Sequence, residues 1–225
     1  MQKEIKVLDH GFVRYIDHMG TDQRIVEAAR ISYRSPSKGE EKDKQLLFYL
    51  IFNKHTSPLE MCKITFNIRM PIFVMRQFVR HRMQNLNEVS ARYTELPDVF
   101  YVPKKWRAPS KTNKQGSIEA DLPHNELSAS IELAYAETYE CYKKLLAMGA
   151  AKELARLILP VGIYTEIYST WDLSNLLKFF ILRDEAHAQA EHQEFARAMK
   201  QITTELFPWT MEVYEAHLKP KLKPQ

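Results

Sequence analysis

The stretch at residues 63–69 constrains the fold of this chain more than any other part of the sequence. Apolar Ile64, Phe66 and Ile68 alternate strictly with polar side chains, and a period of two is typical of a β-strand that buries one face. Pro71 follows closely, and proline is favoured in the first turn of a helix. We therefore predict a strand here, followed by a helix that starts at Pro71.

Helical periodicity dominates the C-terminal half, whereas the N-terminal half mixes both periods. Helices are predicted at residues 22–33, 41–53, 57–60, 71–80, 126–148 and 174–206, with a shorter one before Pro160, and strands at residues 4–16, 63–69 and 90–96. Thr21 or Asp22, Ser57 and Asn125 are the expected N-caps. No repeat and no break in composition divides the chain. We predict an α+β fold, a single domain over residues 1–225 with a small antiparallel-type sheet flanked by helices and a helix-rich C-terminal half.

The composition excludes several classes of protein. With 45% hydrophobic and 27% charged residues, the chain has the balance of a globular protein rather than a disordered one. Charged residues interrupt every apolar stretch before it could span a bilayer, and the N-terminus lacks the apolar core of a signal peptide. The formal net charge of +4 suits anionic ligands without demanding nucleic acid. We therefore expect a cytoplasmic protein that binds neither membrane nor nucleic acid.

A polar segment at residues 103–125 lies between the two halves. Its basic residues are Lys104, Lys105, Arg107, Lys111 and Lys114. We predict a flexible surface loop. With Trp106 as an aromatic platform, the same segment could instead bind a single-stranded nucleic acid, although Glu119 and Asp121 counter its positive charge.

Hydrogen-bonding side chains are concentrated in residues 77–93. The segment contains Gln77, Arg80, His81, Arg82, Asn85, Asn87, Glu88, Ser90, Arg92 and Tyr93. On a helix, positions 77, 80 and 81 share one face, and on an extended strand positions 88, 90 and 92 do. Guanidinium groups bind phosphate and carboxylate groups through paired hydrogen bonds. Any one arginine could be ordinary solvated surface, but the whole set predicts a cleft for an anionic ligand rich in hydrogen-bonding groups, such as a nucleotide.

The spacing Arg80-His81-Arg82-x7-Ser90 resembles the signature of the flavin-dependent thymidylate synthases. Blocks at residues 28–33, 55–60, 155–160 and 182–189 resemble the same family and occur in the same order. The resemblance implies reductive methylation of dUMP to dTMP, with FAD as the cofactor, NADPH as the reductant and methylenetetrahydrofolate as the carbon donor. It also implies a homotetramer whose active sites are shared between subunits.

The resemblance also assigns roles to individual residues. It implies FAD binding by Ser32, Ser57, Glu60, Arg80, His81, Arg82, Asn87, Glu88 and His187. It implies dUMP binding by Gln77, Glu88, Ser90, Ala91, Arg92, Arg156 and Arg183. Arg183 would stabilise negative charge on the uracil, and His55 would lie beside the flavin ring. Ser90 completes the expected catalytic set as a hydrogen-bond ligand of the substrate, because no base and orienting group surround it as in a nucleophile elbow.

Some positions depart from the family pattern. Asp172 and Ser174 stand where many members have Asn and Arg, so negative charge replaces part of the outer FAD contacts. We expect Lys178 to compensate by contributing to the FAD site. Neither Cys62 nor Cys141 lies in the Pro-Cys-His setting that supplies the nucleophile of conventional thymidylate synthases, which agrees with flavin-dependent chemistry.

A metal centre is the main alternative. On the predicted helix at residues 174–206, Asp184, His187 and Glu191 have ligand-like spacing. A di-iron bundle needs a second helix with a Glu-x-x-His motif, however, and the sequence lacks one. We therefore predict no metal. A nucleotide-binding module without catalysis is a further alternative, which would keep the arginines but show no turnover.

Overall fold

An antiparallel sheet forms the centre of the molecule. The computed structural model describes residues 4–111, 113, 116–185 and 187–218, so Lys114 and the end of the chain lie outside the described residues. The strands are β1 (Glu4–Val7), β2 (Gly11–Met19), β3 (Lys63–Pro71), β4 (Gln84–Glu88), β5 (Arg107–Pro109), β6 (Ser117–Glu119) and β7 (Tyr164–Asp172). Five of them form the main sheet in the order β1-β2-β3-β7-β4, and β5 pairs with β6 in a separate hairpin.

Helices surround this sheet. They are α1 (Asp22–Arg30), α2 (Glu40–Phe52), α3 (Ser57–Glu60), α4 (Ile72–Phe78), α5 (His124–Ala147), α6 (Lys152–Ala155), α7 (Leu173–Arg183), α8 (Ala190–Leu206) and α9 (Pro208–Val213). Shorter helical turns occupy Ile31–Tyr33, Arg156–Ile158 and Tyr214–Leu218. The predicted α+β fold, with its small antiparallel sheet and helix-rich C-terminal half, is confirmed.

The predicted strand at residues 63–69 is confirmed as the central strand, β3. Its apolar side chains Ile64, Phe66 and Ile68 are fully buried, and the strand pairs with β2 on one side and β7 on the other. Phe78 of α4 and Phe179 of α7 join them in one core. The alternation in the sequence therefore marks the strand on which the core is built.

The sequence analysis predicts no strand at Tyr164–Asp172, and this is wrong. The strand β7 pairs with β3 along its whole length, from Tyr164 opposite Pro71 to Asp172 opposite Lys63. Its buried positions include Thr165 and Ser169. Because these buried side chains are polar, the apolar alternation that identifies a strand is interrupted.

The single helix predicted at residues 174–206 is also wrong, because the chain forms two helices, α7 and α8. Between them, Asp184 forms ion pairs with Arg197 (3.0 Å) and Lys200 of α8. These contacts hold α8 against the end of α7. As a result Asp184, His187 and Glu191 do not lie on one continuous helix, and His187 is exposed between α7 and α8.

The strand predicted at residues 90–96 is a turn, and the strand β4 lies earlier in the chain. The carbonyl oxygen of Ser90 accepts N–H groups from Tyr93 and Thr94, both at 3.0 Å, and its hydroxyl accepts the Arg92 N–H at 3.3 Å. Serine offers the backbone such local hydrogen bonds in competition with a strand. The face predicted for positions 88, 90 and 92 therefore does not form.

The predicted helix starts are confirmed in part. Thr21 caps α1, since its hydroxyl accepts the Arg24 N–H at 3.3 Å. Ser57 is the first residue of α3 rather than its cap, and Asn125 lies inside α5. The segment at residues 103–125 contains the β5–β6 hairpin, and its flexibility stays a prediction.

Asp172 has a structural role that explains one departure from the family pattern. Its carboxylate accepts the backbone N–H of Asn175 at 2.9 Å and the Asn175 side-chain amide at 2.7 Å. It therefore caps α7, the helix that carries Arg183.

We expect Asp172→Ala to lower the free energy of unfolding by about 1 kcal/mol, because an N-cap contributes on that order. Asp172→Ser is the matched control and should retain most of the stability, since a serine hydroxyl can accept the same N–H. Denaturant unfolding of the three proteins measures the difference. Equal stability of the alanine and wild-type proteins would show that the cap contributes nothing.

Candidate active site

The signature residues Arg80, His81 and Arg82 lie on the turn between α4 and β4. Gln84 closes this turn, because its side-chain amide donates to the carbonyl oxygens of Phe78 (3.2 Å) and His81 (2.9 Å). Arg80 and Arg82 are exposed, whereas His81 is partly buried. Sequence reasoning missed Gln84, and its place in a polar run was the only signal available.

His81 and Arg183 form the central contact of the site. Arg183 donates its Nε–H to His81 Nε2 at 2.9 Å, so this ring nitrogen must be unprotonated and the proton must reside on Nδ1. The His81 ring packs edge-on against Phe179, with centroids 4.9 Å apart. Burial, followed by the nearby Arg183 charge, lowers the pKa of His81 to about 4. A neutral imidazole therefore orients the guanidinium.

A second neutral histidine lies behind this pair. His192 of α8 is fully buried, and its ring centroid lies 6.4 Å from that of His81. Burial, and then the charges of Arg183 and His81, lower the pKa of His192 to about 3. His192 Nδ1 lies 3.4 Å from Gln77 Oε1, and the Gln77 amide donates to Gln189 Oε1. Gln77 thus belongs to a hydrogen-bonded group with Gln189 and His192. This group lies next to the turn that carries Arg80, His81 and Arg82, which we call the signature turn.

A cleft of about 470 Å³ opens on the other side of α4. It contains Glu88, Ala91 and Arg156 from the predicted dUMP set, together with Arg76, which sequence reasoning missed. Glu88 accepts a hydrogen bond from the Thr165 hydroxyl at 2.7 Å. Two guanidinium groups, a carboxylate and apolar walls can bind an anionic ligand that has one flat apolar part.

The remaining predicted dUMP residues do not line this cleft within one chain. Gln77 and Arg183 lie with the His81 cluster. Ser90 forms the turn after β4, and Arg92 pairs with Glu153 at 2.8 Å on the surface. The predicted set is therefore divided among the cleft, the cluster around His81 and the turn after β4.

The predicted FAD residues and His55 are spread over several elements. Ser57 and Glu60 lie on α3, which packs against α7, and Lys178 of α7 donates to Asn175 at 3.3 Å. Ser32 follows α1, Asn87 lies on β4, and the His55 ring stacks on Tyr49. Of these elements, α3 contacts α7, and α7 contacts His81 through Phe179 and Arg183.

Two of the three residues of the metal alternative form ion pairs instead. Asp184 pairs with two cations of α8, and Glu191 pairs with Arg107 at 2.7 Å. Over the described ranges, no group of three His, Cys, Asp or Glu side chains is arranged to hold a metal ion. In the same ranges, no helix is long and apolar enough to cross a membrane.

The chain is similar to proteins of known family over nearly its whole length. Residues 14–209 match the family described as thymidylate synthase complementing protein. The flavin-dependent thymidylate synthase of Kosmotoga olearia is 45% identical over 213 residues, which cover 94% of this chain and 93% of that protein. The flavin-dependent thymidylate synthase of Treponema denticola is 46% identical over 224 residues, covering 97% and 84% of the two chains.

A solved structure has the same fold. The UMP/dUMP methylase PolB from Streptomyces cacaoi, in a crystal structure with 5-Br dUMP, superposes with a TM-score of 0.85. The two sequences are 33% identical, and the match covers 94% of this chain and 97% of that one.

We expect His81 and His192 to stay neutral down to about pH 5, below the usual histidine pKa of about 6.5. As the pH falls below 6.5, the unfolded chain takes up these protons and the folded chain does not, so the free energy of unfolding decreases toward pH 4. Histidine-selective NMR titration measures both pKa values, and denaturant unfolding measures the pH dependence. Midpoints near 6.5 for these two rings would contradict the assignment.

Proposed function

The chain belongs to the flavin-dependent thymidylate synthase family, and from this premise we propose that it catalyses the reductive methylation of dUMP to dTMP. The observation that carries the proposal is the contact of Arg183 with a neutral His81 just beyond α4, the helix whose other side lines the cleft that contains Arg76 and Arg156. We further propose FAD as the cofactor, NADPH as the reductant and methylenetetrahydrofolate as the carbon donor. A flavin supplies hydride chemistry that side chains lack.

The residues on the signature turn suit FAD. Arg80 and Arg82 are exposed, and neither has an ion-pair partner within the described part of the chain. A pyrophosphate needs such uncommitted cations. Ser57 and Glu60 lie on α3, which packs against α7, and can accept and donate hydrogen bonds to the rest of the cofactor. We propose that these residues hold FAD, with Ser32, His81, Asn87, Glu88, Lys178 and His187 as the further members of that site.

The proposed substrate residues divide by the part of dUMP that they would contact. Arg156 and Arg76 of the cleft can bind the dUMP phosphate. Arg183, held in place by His81, can stabilise negative charge on the uracil ring. Glu88, Ser90, Ala91 and Arg92 complete the proposed dUMP site with Gln77, and His55 is proposed to lie beside the flavin ring.

The open cleft supports a proposed assembly. Leu157 and Val161 line the cleft and are 80% and 58% exposed, and Tyr93 after the Ser90 turn is 77% exposed. Exposed apolar groups of this kind mark interaction surfaces. We propose a cytoplasmic homotetramer in which a second copy covers this rim and completes the site.

We expect the protein, incubated with FAD and desalted, to keep a flavin absorption spectrum that bleaches when NADPH and dUMP are added without oxygen. Adding methylenetetrahydrofolate should then yield dTMP. UMP serves as the comparison substrate, because the solved relative is named a UMP/dUMP methylase. A colourless protein after desalting would refute the flavin assignment, and bleaching without dTMP would refute the methyl transfer.

We expect Arg80→Ala and Arg183→Ala to separate cofactor binding from substrate chemistry. Arg80→Ala should weaken FAD binding, whereas Arg183→Ala should retain FAD and lower kcat by about 10²-fold or more, since it removes one charge-stabilising group. Arg24→Ala is the control, because Arg24 is exposed on α1 and pairs only loosely with Glu27, at 3.6 Å. FAD titration and steady-state kinetics measure both effects. Unchanged FAD affinity in Arg80→Ala would contradict its role.

A further inference from the structure

A buried carboxylate, Glu191, lies in the first turn of α8. The side chain of Glu191 is 4% exposed. It accepts hydrogen bonds from Arg107 at 2.7 and 2.9 Å and from the Tyr101 hydroxyl at 3.0 Å. A further bond comes from the Gln189 side-chain amide, at 3.0 Å. Every bond that this carboxylate makes is therefore one that it accepts.

Burial alone would raise the pKa of Glu191, but the hydrogen bonds and charge of Arg107, with further hydrogen bonds, lower it overall. The group is thus an anion at neutral pH. An ionised carboxylate cannot donate a hydrogen bond. The Gln189 amide must therefore turn its NH2 group toward Glu191, and its oxygen must face the other way.

The orientation of Gln189 determines that of the next amide. Gln189 Oε1 faces Gln77, so Gln77 must turn its own NH2 group toward it. The Gln77 oxygen then faces His192 Nδ1 at 3.4 Å, which places a proton on that ring nitrogen. The Gln77 amide has a second N–H, for which the described residues supply no acceptor.

We propose that Glu191 is a positioning residue that, through Gln189, fixes the Gln77 amide so that it offers the substrate an N–H donor. The inference rests on the proposed role of Gln77 in dUMP binding. The substrate atom that meets Gln77 must then be an acceptor, a phosphate oxygen or a carbonyl. If the Gln77 amide could flip freely, it would at times present its oxygen to the substrate, and that oxygen would repel the acceptor.

The hairpin takes part in this arrangement. Arg107 of β5 reaches Glu191 with its Nη2 and donates its Nε–H to Ser117 of β6 at 2.8 Å. Both strands of the hairpin are thereby tied to the carboxylate. Arg107 keeps Glu191 charged, which keeps both amides oriented.

A double-mutant cycle tests the proposal. The dUMP dissociation constant is measured by calorimetry on the FAD-loaded wild type, Glu191→Gln, Gln77→Ala and the double variant. We expect Glu191→Gln to weaken dUMP binding by about tenfold, as for one charge-dependent hydrogen bond, and to have no added effect in the Gln77→Ala background. Glu194→Gln is the matched control, because Glu194 is an exposed carboxylate on the same helix, and it should bind dUMP as the wild type does.

A loss of affinity that persists in the Gln77→Ala background would overturn the proposal, because a merely structural effect does not depend on Gln77. So would wild-type affinity in Glu191→Gln. If neutralising the buried Glu191 prevents folding, Gln189→Ala breaks the same chain of bonds without leaving Arg107 unpaired, and its cycle with Gln77→Ala has the same expected outcomes.

The ¹⁵N shifts of His192 test the arrangement without any substrate. We expect the proton on Nδ1 in the wild type and a mixture of tautomers in Gln189→Ala. A proton on Nε2 in the wild type would refute the orientation of Gln77. A wild type that fails to bind dUMP would refute the proposed function, and the His192 tautomer would still decide whether the amides are fixed.

Discussion

The antiparallel pairing of β3 with β7 is the constraint on which the rest of the structure depends. Each strand passes directly into a helix, β3 at Pro71 and β7 at Asp172, and both residues keep extended backbone angles as N-caps. Because the strands run in opposite directions and each helix returns over the sheet, the far ends of α4 and α7 meet. That meeting brings His81, just beyond α4, within hydrogen-bonding distance of Arg183, the last residue of α7.

The contact between His81 and Arg183 requires the apolar surroundings that these helices create. Trp171 and Phe179 pack around the His81 ring, and burial keeps its pKa low, so that the imidazole remains an acceptor. A protonated ring could not accept the guanidinium N–H and would repel it. The aromatic core therefore does more than stabilise the fold, because it keeps a free positive charge in one orientation at the surface.

The sequence predicted those elements of the fold that depend on residues close together in the chain. The alternation at residues 63–69 and the cap at Thr21 are examples. The division of the long C-terminal helix depends on Asp184 pairing with Arg197 and Lys200, which are 13 and 16 residues further along, and such pairs leave no periodic signal. The candidate site residues come mainly from family resemblance, which named both Arg183 and His81 but not the hydrogen bond between them, since contacts between residues distant in sequence are set by the fold.

The charged side chains discussed above are of two kinds, buried carboxylates in ion pairs and exposed arginines, and burial determines what each kind can do. Glu191 and Asp184 are buried and fully paired with cations, as the cost of an unpaired buried charge requires. Arg80 and Arg82 are exposed and have no ion-pair partner among the described residues, so water solvates their charges. A buried ion pair can hold neighbouring side chains in place, but its charges are not available to a ligand. An exposed arginine is available to an anionic ligand, but no neighbour holds it in one orientation. The proposed nucleotide site needs both kinds close together, and α4 with the turn that follows it connects them.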